Sequence, residues 1–559
     1  MSHYSFFNSI IRKLTQMSNH SEIGVKVGMG LTILFSFLFP YGLHSQAVFE
    51  PPQNAVYAFL DEMAAEEFIS LNSFAKPYAR NFISAKLDTI NQYRADLNWR
   101  QLSELDFYLK DYGKESHIGK DWNRRRDLFY YSDSTFNLTV NPIIGGSIMM
   151  NENGNRIHTR VGASFFASAG KFGFYGSLRD NAVTEVLAAP QYLTTREGQN
   201  YKHISSDNRS DYNEFIGGIS YQWKWGDISV LKDRFIWGNE NNGANIFSGK
   251  APSYAAISYR LYPTKWLDFQ YIHGWLVSEE LDSARTYLTP HGNRKVFMNK
   301  NMAANYLTIK SGFKVDFTFG NSIVYSDNGI QPVFLIPFMF FKSADHTYNG
   351  TGSNELGQNA QMFFDISARP VKKVHVFVSL FIDEVSMGNM WDSEKHTNIM
   401  SLKVGGTWYN ALPNLHLTAE YTRTNPWTYR HQIQSTTFES NGYNLGHYLG
   451  ENADEIFFKA RFKPWKTLSA EASIWSSRKG AQHDYKIIHG NANVTGLPFL
   501  ETVDWNQLGM QLSLNWEIIN DAVIFTKFTY LNSEGGAHYV PEYLSGEIIT
   551  AEMGFRIGW

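Results

Sequence analysis

One class of reactive side chain is missing from this sequence altogether. None of its 559 residues is cysteine, which excludes thiol nucleophiles, thiolate metal sites, disulfides and a lipid-modified N-terminal cysteine. No Gly-x-Ser-x-Gly, His-Glu-x-x-His or phosphate-cradling glycine loop is present. The 17 histidines are scattered, without a metal-spaced pair on one strand face, so neither metal nor cofactor is expected. Glu279-Glu280 and Asp383-Glu384 are adjacent carboxylates, the commonest form of a solvated loop edge, and no catalytic role is read from them. The residues that do suggest chemistry suggest recognition. Asp233 to Asn239 (DRFIWGN) runs into Asn241, Asn242 and Asn245; Tyr271 to Leu276 reads YIHGWL; Asn425 to His431 reads NPWTYRH. Aromatic faces stack on the C–H faces of sugar rings, and amide and guanidinium groups pair with hydroxyls. Arg234, Trp237, Asn241, Asn242, Trp275, Trp427, Tyr429 and Arg430 are therefore the candidate polysaccharide contacts. Each aromatic has a competing place in the girdle of a membrane barrel, and each arginine has a competing lumen carboxylate, such as Asp268 or Glu420.

The elements that would position these residues are strands. Aromatics make up 16% of the chain and there are 43 glycines, while hydrophobic residues reach only 43%, too few for a bundle of membrane helices. From about Phe129 the apolar period is two. Ile549, Ala551, Met553, Phe555, Ile557 and Trp559 alternate with Thr550, Glu552, Gly554, Arg556 and Gly558. Leu415 to Thr422, Val315 to Gly320 and Leu468 to Trp475 do the same. One face suits lipid and the other a polar interior. Marking every such segment gives about eighteen strands, whose connections fall alternately into a short class, such as 169–171 or 518–521, and a mostly long class, such as 181–210 or 424–453. Short turns face the periplasm and long loops the exterior in outer-membrane barrels, and an even strand count returns both ends to the short-turn side.

The N-terminal part is different. Residues 27–40 (VGMGLTILFSFLFP) follow Arg12, Lys13 and Lys26 and precede small residues, the layout of a cleaved secretory signal ending at Ser45. From Asn54 to about Lys114 the apolar period is helical, through Val56, Phe59, Leu60 and Met63, then Phe82 to Leu97, then Leu102 to Leu109. The expected organisation is a signal peptide over 1–45, a periplasmic helical domain or plug over 46–120 and the barrel over 121–559. The fold class is thus all-β transmembrane, an antiparallel outer-membrane barrel of about eighteen strands with a small N-terminal periplasmic helical domain. A net charge of −3 argues against a nucleic-acid partner.

Lys232 to Gly238 (KDRFIWG), Asn245 to Pro252 (NIFSGKAP), Tyr271 to Leu276, Pro332 to Pro337 (PVFLIP), Phe381 to Glu384, Tyr421 to Tyr429 (YTRTNPWTY), Leu445 to His447 and Gly450 to Asp454 follow in order. In these segments the chain resembles the Wzi-type capsule assembly family, closer to its members from Bacteroidetes-type bacteria. The resemblance implies an outer-membrane, surface-exposed barrel without enzymatic activity that holds exported capsular or extracellular polysaccharide. The implied partners are that polysaccharide, outer-membrane lipid, and periplasmic or surface export or motility proteins. Similar proteins in gliding bacteria are tied to surface motility, which supplies the alternative: a structural or motility-related outer-membrane protein holding a protein partner.

Overall fold

Alternating segments exposed to two different solvents can satisfy their backbone only by pairing side to side and closing. The computed structural model has that architecture; it describes residues 47–116, 122–312, 314–326, 329–349, 357–385, 387–392, 396–483 and 496–558. The signal expected over 1–45, Trp559 and residues 393–395 lie outside them. Eighteen antiparallel strands form a closed barrel: β1 Phe136–Asn151, β2 Gly154–Ala169, β3 Phe172–Val183, β4 Ser210–Trp223, β5 Gly226–Asp233, β6 Tyr254–Thr264, β7 Leu267–Leu276, β8 Lys300–Lys310, β9 Val315–Ser326, β10 Asn359–Ala368, β11 Val374–Glu384, β12 Ile399–Leu412, β13 Leu415–Thr424, β14 Ala453–Trp465, β15 Leu468–Gly480, β16 Val503–Ile519, β17 Ala522–Gly535 and β18 Glu547–Ile557. β18 closes on β1 from Ala551 opposite Met150 to Ile557 opposite Ile144.

The two faces separate as the alternation requires. On β18, Ile549, Met553 and Phe555 stand exposed on the outer wall while Thr550 is buried inside. Trp225, Trp266, Trp408, Trp465 and Trp516, each about half exposed, cluster at the short-turn ends of their strands, as an interfacial girdle does. Asn414 and Asp521 take the left-handed backbone in two of these tight turns, a conformation that short polar side chains tolerate best.

Three helices, α1 Val56–Ala65, α2 Arg80–Asn91 and α3 Trp99–Tyr112, pack around Phe59, Leu60, Met63, Ile83, Leu87, Ile90 and Leu105, all fully buried. α3 starts with a reciprocal cap: the Gln101 backbone N–H donates to the Asn98 side chain at 3.0 Å, and the Asn98 N–H donates to Gln101 Oε1 at 3.1 Å. The helices sit on the short-turn end. The Lys373 N–H donates to the Ala65 carbonyl at 2.7 Å, and Asn520 Nδ2 to the Phe107 carbonyl at 3.1 Å.

Arg100 fixes this docking. Its guanidinium donates to Glu62 at 2.9 Å, Glu104 at 2.7 Å and, across to the barrel, Asn414 at 3.1 Å. Lys463 of β14 reaches Glu104 at 2.8 Å. Burial alone would raise the Glu62 carboxyl, but Lys463, His416 and Arg100 hold it well below the ordinary carboxylate range. Asp111 on α3 is likewise held low against its burial by Arg125, Arg80 and Lys114.

Candidate functional site

The lumen is occupied by two parts of the chain itself. From the helical side, the segments flanking α1, 47–49 and 74–79, enter it. The Phe49 ring meets Tyr175 edge-on at 5.7 Å, and Phe74 meets Tyr306 at 4.9 Å. From the other side, the connection 234–253 after β5 turns inward. Ile236–Trp237 pairs with Phe247–Ser248 and also with Ala75–Lys76, so a small three-stranded sheet joins the two intrusions.

This inward turn needs Gly238, whose φ is +141°; a Cβ there would lie 1.8 Å from Glu240 Oε2. Beyond it the amides reach the far wall. Asn239 Nδ2 donates to Asp365 at 2.8 Å. The N–H groups of Asn241 and Asn242 donate to the Glu420 carboxylate at 2.6 and 3.1 Å, and Asn242 Nδ2 to Glu455 at 2.6 Å. Asn245 Nδ2 donates to the carbonyls of Ser379 and Ser401 at 3.1 and 3.0 Å. Lys403 Nζ donates to the Asn242 carbonyl at 2.8 Å and stands 3.0 Å from Glu420, so the buried carboxylate is both paired and hydrogen-bonded.

Most candidate contacts thereby have a place. Trp237 is fully buried, its ring against Phe247, Tyr306 and Phe363 at 4.7, 4.9 and 5.7 Å; it offers no face for stacking. Arg234 is buried too. It pairs with Glu214 at 2.9 Å, and with neither Asp268, which meets Lys310, nor Glu420. Its remaining N–H groups reach the carbonyls of Gly198 and Gly249 at 3.0 and 3.3 Å, tying two loops together. Asn242 is buried in the wall contacts above, while Asn241 is exposed to a cavity of about 440 Å³ between the helices and the inward loop, beside Lys459, Arg461 and Glu471. Tyr429 is buried and donates to the Asn245 carbonyl at 2.6 Å. Trp427 is buried, and its backbone N–H donates to Glu451 at 2.7 Å. Arg430 lies over the Trp427 ring at 4.7 Å, pairs with Glu451 at 2.7 Å and keeps 31% of its side chain exposed. Trp275 is on the outer face of β7, edge-on to His273 at 5.4 Å.

Two features escaped the sequence. Trp391, in the connection 385–398, is 93% exposed, on the same rim as Arg430. Its signal was a lone tryptophan in a polar loop. A second recess of about 210 Å³ in the lumen gathers Arg160, Arg179, Arg556 and His158. Arg160 and Arg556 flank Gly145, their common cross-strand partner, where a Cβ would lie 2.6 Å from Arg160 Nε.

No known family model matches the chain, and no curated protein matches it. Among solved structures it is similar to Wzi of Escherichia coli, an outer membrane protein involved in group 1 capsule assembly and described as a carbohydrate-binding β-barrel. That likeness has 11% identity, a TM-score of 0.57 and coverage of 92% of this chain and 100% of that one. Weaker likenesses are to Pseudomonas aeruginosa OccK8 (OprE), with 6% identity, TM-score 0.42 and coverage of 75% and 97%, and to OpdK of the same organism, with 7%, 0.43 and coverage of 75% and 98%. The chain has the fold of a Wzi-like outer-membrane barrel.

Proposed function

We propose that this protein is a non-catalytic outer-membrane barrel that binds exported capsular or extracellular polysaccharide and anchors it at the cell surface. The observation that carries this reading is the filled lumen. The segments flanking α1 and the loop 234–253 hydrogen-bond to each other and to different walls, so the long-loop surface is what remains for engaging a large exterior ligand. The carbohydrate binding described for Wzi, and the ordered motifs that resemble its family, support the same reading. In it the signal over 1–45 is removed, the helices of 46–120 face the periplasm, and the connections that follow odd-numbered strands face outward.

The eight sequence candidates divide by role. Arg430 presents its guanidinium at the rim and Trp391 an open ring; these two are the first contacts for glycan. Trp427 backs Arg430, while Arg234, Trp237, Asn242 and Tyr429 hold the loops that carry the surface, Asn241 faces the inner cavity and Trp275 the outer wall. The test is deletion of the gene followed by staining for surface-attached and released polysaccharide. Release with synthesis intact supports anchoring. A normal capsule with impaired surface movement sinks it and favours the partner-holding alternative.

A further inference from the structure

The connection between β9 and β10 does something that its length alone does not announce. Part of it, residues 330–349, runs down the outer wall of the barrel over β7, β8 and β9. Register fixes which wall this is. Met302, Ala304 and Tyr306 of β8 join the lumen cluster around Trp237, so Ala303, Asn305 and Leu307 point outward. Ala303, Tyr271, Ile323 and Tyr325 are nevertheless buried there, beneath Phe334 and Phe341.

The contacts are those a chain needs at lipid depth. Irregular backbone in hydrocarbon must have its polar groups satisfied by protein. Tyr271 OH donates to the Phe334 carbonyl at 2.7 Å. Asn305 Nδ2 donates to the carbonyls of Pro337 and Met339 at 2.8 and 2.9 Å. Asn321 Nδ2 donates to Asn305 Oδ1 at 2.7 Å, and Asn321 Oδ1 accepts the Phe341 N–H at 2.8 Å. The N–H groups of Phe334 and Met339 close local turns, and Pro332 and Pro337 have none to satisfy. Conversely, without this segment Asn305 Nδ2 and Asn321 Oδ1 would be left without these partners on a lipid-facing wall.

Its depth follows from one ring pair. Phe338 stacks on Phe269 at 4.2 Å. Phe269 is three residues above girdle Trp266, a climb of roughly 8 Å on a strand tilted by about 40°, in an apolar band about 25 Å tall. Phe319, on the rung of Leu307 and Phe269, faces outward beside it and is 46% exposed. The outward side chains of the segment are apolar: Leu335, Ile336, Phe338 and Phe340 are 41 to 67% exposed.

We infer that residues 330–340 form a membrane-inserted strap, whose outward side chains are solvated by lipid acyl chains while Tyr271, Asn305 and Asn321 hold its Phe334, Pro337 and Met339 carbonyls and the Phe341 N–H against the wall. The occupant of its outer face is lipid rather than a second copy. Four half-exposed side chains present on the order of 400 Å², about half of what each partner contributes to a standard interface, and the face continues the lipid-facing surface at Phe317 and Phe319.

The absence of cysteine makes the test clean. Phe338→Cys and Ile336→Cys are each spin-labelled in the full-length protein and reconstituted into phosphatidylcholine vesicles, with Phe319→Cys and Tyr287→Cys as lipid-facing and loop controls. Labels at 336 and 338 are expected to collide with oxygen and to be shielded from a polar nickel complex, as at 319. Nickel accessibility like that at 287 would overturn the proposal. Shielding from both reagents would overturn it too, because it would place protein on this face. Asn305→Leu in the Phe338→Cys background should free the label's motion, and unchanged motion would remove the wall amides as its anchor.

Discussion

Replacing Arg100 by methionine should undock the helices without opening the barrel. Arg100, Glu62 and Glu104 are each at most 1% exposed, and Lys463 is 7% exposed. Two cations there balance two carboxylates, with Glu66 at the edge held by Gln101 and Asn410. Arg100→Met keeps the apolar stem but leaves one buried carboxylate without a counter-charge, and breaking such a pair costs about 3–5 kcal/mol. At 1.4 kcal/mol per factor of ten, the undocked population rises roughly 100- to 4,000-fold. Native-state proteolysis of α1 to α3 reads this as faster cleavage, provided that opening and closing outpace cutting. Arg100→Met combined with Glu104→Gln restores the balance of charge and should recover most of the loss. In planar bilayers the single variant should stay non-conducting, because Asn239, Asn242 and Asn245 still hold the inward loop to the far wall. A cleavage rate raised less than tenfold, or a double variant worse than the single, would refute the charge-balance argument; conductance in the single variant would make the helices the principal seal.

Trp237→Ala should lower stability by about 3–5 kcal/mol, the range for emptying a large aromatic site, seen as a lower midpoint in thermal unfolding in detergent. Trp391→Ala should leave that midpoint unchanged and weaken binding of purified polysaccharide, whereas unchanged binding in both Trp391→Ala and Arg430→Ala would move the contact elsewhere. Because Asp111 and Glu62 are held below their ordinary range when docked, their contribution is fully present above an unfolded carboxylate pKa of about 4 and is lost as pH falls below it. Proteolysis of the helices, with an acid-active protease, should therefore accelerate as pH falls below about 4.

The strands were legible because what fixes them is local. Ile549, Met553 and Phe555 face lipid and Thr550 does not, whatever the rest of the chain does, so a period of two, interrupted by tight turns, locates the eighteen strands and both connection classes. The helices were legible for the same reason, their apolar spacing and the stop at Gly113 being short-range. What the loop residues do was not legible. An amide such as that of Asn242 demands a hydrogen-bonding partner, but the demand is met equally by a sugar hydroxyl or by Glu455, some 213 positions away. Arg234 and Trp237 carry the composition of a binding surface and are buried against Glu214 and against Phe247, Tyr306 and Phe363 instead. One sign was present in the register: counting outward positions from Phe317 and Phe319 places Asn321 on the lipid face, where an amide cannot stand uncovered. Which segment covers it, and from which side of the wall, only the tertiary structure decides, because that depends on contacts between strands and a loop that no local period encodes.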